Sequence, residues 1–257
     1  MKHGDFTKLA ESYSKHRPAY SPTVLAAILG ALNKDRKQID FVDVGAGTGI
    51  WTRMVAAQGC RTTAVEPNDQ MREYGQKGNA GLNIHWQAGS AEQTNLDHNC
   101  CDLLSMASSF HWPDFDKATK EFYRLIRPEG YFVALWNPRY IEANPMLVEI
   151  EEKLKQMVPG MKRKSSGRSE FCDTLTDRLL QCGHFEDALY LEGRHVEIMT
   201  PDRYIGIWDS VNDIRVQAGE QIFKQFMDFV KDKVQGLKQI ETTYLTRAWM
   251  AKTKKKA

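Results

Sequence analysis

The chain has 257 residues, of which 42% are hydrophobic and 26% charged, the balance of an ordinary soluble globular protein. At about 150 residues per domain this length allows one large domain, or one domain carrying an insertion or cap. Thirty-five Lys and Arg against thirty-three Asp and Glu leave a net charge of +2, too even for a dedicated nucleic-acid binder, and a mean hydropathy of −0.52 argues against a membrane protein.

The first residues, Met1 to Asp5, open no hydrophobic signal region, so the expected compartment is the cytoplasm. Phe6 to His16 and Pro22 to Asn33 read as helices, the second entered through Ser21-Pro22, an N-cap followed by proline at the first helical position. The apolar run within it, Val24 to Leu32, is nine residues long, against the roughly 20 needed to span a bilayer. From about residue 38 to 137, short apolar runs alternate with longer amphipathic stretches, a parallel α/β signature. Strands are predicted at Ile39 to Val44, Thr62 to Val65, Leu82 to Gln87, Asp102 to Met106 and Tyr131 to Trp136. Helices are predicted at Gly49 to Gln58, Asn68 to Gln76 and Asp114 to Leu125, the last stopped by Pro128 and Gly130.

Beyond this core, Asn144 to Met157 and Asp173 to Cys182 read as helices, separated by a loop from Pro159 to Gly167 rich in basic residues. Ala188 to Ile198 reads as one or two extended runs, Pro201 to Trp208 as a helix, and about Gln217 to Val234 as a long helix. Ile240 to Met250 closes the chain as a strand, with Ile240, Thr242, Tyr244, Thr246 and Ala248 on one side, and Lys252 to Lys256 reads as a frayed basic tail. The five cysteines, Cys60, Cys100, Cys101, Cys172 and Cys182, are odd in number and form no C-x-x-C, which points to neither a disulfide framework nor a zinc site. The adjacent Cys100 and Cys101 read as small residues opening a buried strand.

The strongest chemical signal is Phe41-Val42-Asp43-Val44-Gly45-Ala46-Gly47-Thr48-Gly49-Ile50-Trp51, a strand running into three glycines and then a helix. Glycines there let the backbone turn tightly and let a ligand approach the main chain, beside the free N–H groups of a helix start. Glu66 ends the next strand, twenty-one residues after Gly45, where an α/β sheet places an acidic side chain to accept from ribose hydroxyls. The pair implies a nucleoside-containing ligand. The glycines fall as G-x-G-x-G, with Ile50 in the third dinucleotide position, which disfavours NAD.

With Val65-Glu66-Pro67-Asn68 and Gly89-Ser90-Ala91-Glu92 added, the pattern resembles the class I S-adenosylmethionine-dependent methyltransferases. Within them it is most similar to the small-molecule branch that includes trans-aconitate methyltransferase and its fungal relatives. Phe6 to Tyr20 carries that branch's F-x-x-x-A-x-x-Y-x-x-x-R-P-x-Y pattern, and Ser109-Phe110-His111-Trp112 its segment after the fourth strand. The resemblance implies a Rossmann-like α/β fold with a mostly parallel seven-stranded sheet, an antiparallel C-terminal strand and a helical cap. The whole chain, 1–257, is then one methyltransferase domain. Within it, 1–37 would help cover the cofactor, 38–137 bind it, 138–239 form the substrate side and cap, and 240–257 supply the last strand and tail.

The implied cofactor is S-adenosylmethionine, leaving as S-adenosylhomocysteine, without a metal. Residue by residue, Tyr13 and Arg17 would hold its methionine carboxylate, and Asp43, Gly45 and Gly47 belong to the segment along its methionyl and ribose portion. Glu66 would take the ribose hydroxyls, Asn68 and Met71 would pack beside the adenine, and Ser90 and Ala91 would flank it. Ser90 departs from the Asp that many relatives carry there. His111 is the expected catalytic residue, placed to take a proton or donate a hydrogen bond near neutral pH. A hydroxyl acceptor needs it as a base, whereas a carboxylate needs orientation only. Trp136, Arg139, Tyr140, Tyr204, Trp208 and Arg215 would line the substrate side, aromatics as walls and Arg as a carboxylate partner.

The reading is therefore a monomeric or homodimeric enzyme that methylates a small organic acceptor, most readily at a carboxylate or hydroxyl oxygen, with no membrane partner. The alternatives are a nucleic-acid methyltransferase, disfavoured because Ser108 to Trp112 lacks the acidic or Asn-Pro-Pro-aromatic segment of base-amino methylators, and a non-catalytic S-adenosylmethionine-binding protein.

Overall fold

The computed structural model describes residues 14–161, 167 and 169–256. Most of the predicted first helix, with Tyr13, and the centre of the basic loop lie outside the described residues; Ser14 to His16 are helical. Helix α1 (Pro22–Ala31) starts as the sequence dictates: Ser21 accepts from the Val24 N–H, and Pro22 fills a position that needs no donor. Then follow β1 (Asp40–Val44), α2 (Ile50–Ala56), β2 (Arg61–Val65), α3 (Asp69–Gly78), β3 (Ile84–Gln87), β4 (Cys101–Ala107), α4 (Phe115–Leu125) and β5 (Ile126–Trp136). The connection from β3 to β4 contains no helix. The second half consists of α5 (Pro145–Met157), α6 (Glu170–Asp173), α7 (Leu175–Gln181), β6 (Phe185–Met199), α8 (Pro201–Asp209), α9 (Asn212–Val234) and β7 (Ile240–Thr253).

The seven strands form one sheet in the order β3-β2-β1-β4-β5-β7-β6. The pairs among β1 to β5 are parallel, and β7 runs antiparallel to both β5 and β6. The expected class I Rossmann-like architecture is therefore present. Alternate residues of the central strands feed two cores. Phe41, Leu103, Val133 and Met250 pack with α1 and α2 on one face, while Val42, Leu104, Phe132 and Trp249 pack with α4 and α7 on the other. A third core joins α5, α8 and α9 to the start of β7. Among the described residues, no helix is long and apolar enough to cross a membrane.

Several expectations change. The closing strand is covered on both faces, by α1 and α2 on one side and α4 and α7 on the other, so that Thr243, Leu245 and Trp249 are buried as well as their alternates. The tail is tied down, since Lys252 pairs with Glu129 at 2.5 Å and Lys255 donates to Asn99 and to the carbonyls of Arg124 and Ile126. The long helix begins earlier than its periodicity suggests and is interrupted at Gly219, whose φ of 74° and ψ of 160° are not helical. The helix expected from Asp173 to Cys182 is α7, preceded by the single turn α6, and β6 is one strand with an irregularity between Glu186 and Leu189. Cys100 and Cys101 are free thiols, Cys101 buried and opening β4.

Close packing beneath the sheet edge fixes α3. A Cβ at Gly75 would stand 2.2 Å from the ring of Trp86 on β3. Gly75→Ala should therefore lower stability by about 1–3 kcal/mol, measured by urea denaturation, and Trp86→Leu in the same chain should recover part of the loss. An unchanged midpoint in the single variant would refute this packing.

Candidate functional site

The carboxyl ends of β1, β2 and β4 surround a cavity of about 470 Å³, within the size range of small-ligand sites. One wall is the turn after β1, where Gly45, Gly47 and Gly49 have φ of 67°, 57° and 78°, the left-handed region that disfavours side chains. A Cβ at Gly45 would also stand 2.8 Å from Ser109 Oγ, across the cavity wall. Two backbone hydrogen bonds fasten the turn to β2: the Gly45 and Ala46 N–H groups both donate to the Val65 carbonyl, at 2.8 and 3.1 Å. A third fastening comes from the end of α3, where Asn79 Nδ2 donates to the carbonyls of Thr48 and Gly75 at 3.2 and 2.7 Å.

Glu66 follows β2 and is 7% exposed. One carboxylate oxygen accepts the Gly47 N–H at 2.8 Å and the other the Asn68 N–H at 2.9 Å. Burial raises its pKa, and the two backbone donors pull it back toward the charged form. Each oxygen keeps a further lone pair, and the side chain lines the cavity. A nucleoside diol, which donates two adjacent hydroxyls, fits such an acceptor pair beside a glycine turn that leaves room for its sugar.

Asp43 does not reach the cavity. It is fully buried behind the turn, accepting from Thr52 Oγ1 at 2.6 Å and Ser105 Oγ at 2.8 Å. Ser105 in turn accepts from Trp51 Nε1 at 3.1 Å. Its place mid-strand on the α2 face, one residue before β1 ends, turns the carboxylate into that network and away from any ligand, contrary to the expectation that it contacts the cofactor.

On the β4 side, Tyr20, Met106, Ser108, Ser109 and Trp112 line the cavity. Tyr20 OH and Ser108 Oγ are 2.9 Å apart, and Ser108 has a φ of 56°, an uncommon backbone state for a residue with a side chain. His111 stands just behind this wall, its ring 4.4 Å from that of Trp112. Its Nδ1 accepts from Trp136 Nε1 at 3.4 Å, so the neutral imidazole carries its proton on Nε2.

These features agree with known proteins. Residues 42–134 match the family described as a methyltransferase domain. An uncharacterized methyltransferase of Schizosaccharomyces pombe is 23% identical over 253 residues, 92% of each chain. An uncharacterized methyltransferase of Mycobacterium tuberculosis is 31% identical over 134 residues, 52% of each chain. A solved structure from Anaeromyxobacter dehalogenans, provisionally named a type II methyltransferase, superposes with a TM-score of 0.64 at 18% identity, covering 92% of this chain and 97% of the other.

The chain is an S-adenosylmethionine-dependent methyltransferase, with its methyltransferase domain at residues 42–134.

In this methyltransferase Gly45, Gly47, Glu66, Asn68, Met71, Ser90 and Ala91 all line one cavity. Asn68 also caps α3, accepting the Met71 N–H at 3.0 Å. The Ser90 hydroxyl closes its own turn by accepting from the Gln93 N–H at 3.2 Å. Arg17, expected at the cofactor carboxylate, instead donates to the side chain and carbonyl of Ser210 at the end of α8, at 3.0 and 3.1 Å.

The expected substrate residues do not line this cavity. Trp136 is buried beside His111, and Tyr140 lies under the Arg194 guanidinium. Arg215 pairs with Asp209 and Glu220, and Arg139, Tyr204 and Trp208 meet in the third core. Tyr20, Ser108, Ser109 and Asn79 were not singled out as site residues. A left-handed Ser108 and an N-terminal tyrosine folding back over β4 have no local sequence signal.

Burial, opposed by the Thr52 and Ser105 hydroxyls, pushes the Asp43 carboxyl from 3.8 up to about 7. The folded state thus favours its protonated form, so its stabilising contribution is full below pH about 4 and is lost as pH rises through about 7. Asp43→Asn, which keeps the shape without the charge, should gain stability relative to wild type across that window, approaching about 4 kcal/mol. Urea denaturation from pH 4 to 8 measures it, and a pH-independent difference between the two proteins would contradict it.

Proposed function

We propose that this methyltransferase transfers a methyl group to an oxygen of a small organic acceptor that is already ionised, a carboxylate above all. The observation that carries this reading is the set of groups on the β4 side: hydroxyls, apolar side chains and a His111 whose Nδ1 is occupied by Trp136. None of these is a base for a hydroxyl proton, and an ionised oxygen needs none. When bound, S-adenosylmethionine supplies an activated methyl on a sulfonium centre.

The residues then have distinct roles. Glu66 accepts from the ribose hydroxyls, Gly45 and Gly47 admit the sugar and methionyl chain, and Asn68, Met71, Ser90 and Ala91 border the adenine. Tyr13 and Arg17 belong to a segment that covers the cofactor; Tyr13 lies outside the described residues, and Arg17 anchors that segment to the cap through Ser210. Tyr20 and Ser108, joined through their hydroxyls, shape the reacting end, and His111 orients rather than deprotonates. Holding the acceptor oxygen in line with the methyl supplies on the order of 7–11 kcal/mol of barrier lowering without a catalytic triad.

A division of labour follows, with 38–137 binding cofactor and 138–239 enclosing the acceptor beneath the first helices. The N-terminal Phe6 to Tyr20 pattern and Ser109 to Trp112 support a place in the branch resembling trans-aconitate methyltransferase.

Glu66→Gln should weaken S-adenosylhomocysteine binding about 10–100-fold by calorimetry, because an amide can satisfy only one of the two backbone donors; unchanged affinity would remove Glu66 from the cofactor site. His111→Ala should lower turnover by less than about 100-fold, and the wild-type pH–rate profile should have no inflection near neutral pH for the substitution to remove. A loss of about 100- to 10,000-fold that also abolishes a wild-type inflection would make His111 a general base.

A further inference from the structure

The sheet has one long open edge. β6 pairs with β7 without a break from Leu189 to Met199 and stands last in the strand order, so its other side meets no strand among the described residues. In an antiparallel ladder every second residue aims its N–H and C=O away from the paired neighbour. β6 therefore presents a row of backbone donors and acceptors, the template on which a further strand forms. The opposite edge, β3, offers only four residues.

The side chains specify which strand fits. Tyr190, Glu192, Arg194, Val196 and Ile198 share one face of β6, and Tyr190, Val196 and Ile198 are 46%, 52% and 59% exposed. The other face is covered by α1, since a Cβ at Gly193 would stand 2.8 Å from Val24 and 2.9 Å from Ser21. Glu192 accepts from the Tyr190 hydroxyl at 2.6 Å and lies 3.4 Å from Arg247. Arg194 rests on the Tyr140 ring, 4.3 Å from its centre, and forms no ion pair among the described residues.

Two antiparallel strands related by a two-fold axis pair each residue with one equally far beyond the axis, and paired residues stay on the same face. Centred on Gly193, Glu192 of each copy meets Arg194 of the other, Tyr190 meets Val196, and Ala188 meets Ile198. Opposite charges and aromatic against β-branched side chains are favourable cross-strand pairs. On the α1 face, Leu191 meets His195 and Leu189 meets Glu197, so no like charges oppose each other there. Centring on residue 192 sets Glu192 against itself, and centring on residue 194 sets Arg194 against itself, where like charges repel. Centring on residue 191 or 195 leaves both charges opposite uncharged side chains. One register is thus selected, and it stops where β6 becomes irregular, at Asp187 with its φ of 50°.

We propose that two copies of this chain join edge to edge along β6, antiparallel about Gly193, so that one sheet runs through both. Each Glu192 then lies between Arg247 of its own chain and Arg194 of the second copy, and Tyr190, Val196 and Ile198 lose their exposure. Because both copies use the same edge, the assembly closes at two. The cavity at the ends of β1, β2 and β4 stays clear of the contact and open to ligand.

Sedimentation equilibrium of the full chain should show a dimer at micromolar concentration. Arg194→Glu and Glu192→Arg each set like charges opposite one another and should weaken it about tenfold. Mixed in equal amounts, the two variants should associate about as tightly as wild type, because each supplies the charges that the other lacks. Val196→Lys, a charge on the strand edge, should also weaken the dimer. Melting temperature and S-adenosylhomocysteine affinity should be unchanged in all three, since these side chains are exposed. A chain that stays monomeric to about 100 μM overturns the proposal; hydrogen exchange showing the β6 amides protected in that monomer would assign the edge to a segment of the same chain. A dimer indifferent to all three substitutions overturns it in favour of another face, and a mixture no tighter than its components excludes the register. Growth beyond two copies refutes the closed contact.

Discussion

Two backbone N–H groups, those of Gly47 and Asn68, converge on the carboxylate of Glu66. They come from the turn after β1 and from the start of α3, so one side chain locks together two segments that border the cavity. A charged acceptor bonded to backbone donors is stronger than a neutral one, and here it opposes the burial that would otherwise neutralise the acid. The same oxygens face the cavity. Structure and the proposed recognition therefore draw on one group, and the left-handed glycines, the Asn79 bond to Thr48 and the Gly75 contact with Trp86 all serve to keep its donors in place.

Behind this lock lies a second buried carboxylate of opposite character. Asp43 meets only hydroxyls, from Thr52 and Ser105, and no backbone N–H or cation. Burial therefore pushes its carboxyl up to about 7, and it acts as a spacer between β1, α2 and β4. Two acids twenty-three residues apart in the chain thus divide into a cavity-lining group and an internal strut, according to whether their neighbours are backbone donors at a strand end or side-chain hydroxyls under a helix.

What the sequence made legible was local. The glycine turn, the acid ending the next strand and the Ser21-Pro22 helix start depend on residues a few positions apart, and each stands where expected. Long-range partners were not legible. Arg17 meets Ser210, 193 positions away, and Tyr20 meets Ser108, 88 positions away; neither pairing leaves a mark on spacing. His111 was placed correctly after β4, but its accepting nitrogen depends on Trp136 across the wall. The alternation in Ile240 to Met250 put alternate residues on one side, and periodicity cannot report that helices cover both faces of that strand.

The place of β7 between β5 and β6 has a bearing on how the chain assembles. β6 pairs only with β7, and β7 also completes the free side of β5. During synthesis the strands from β1 to β5 can align as they emerge, yet β6 has nothing to join until β7, Ile240–Thr253, follows it. Until then two strand edges stay open, a state in which chains pair with the wrong neighbour. Lys255, which reaches back to the carbonyls of Arg124 and Ile126, latches the strand that fills the gap between β5 and β6.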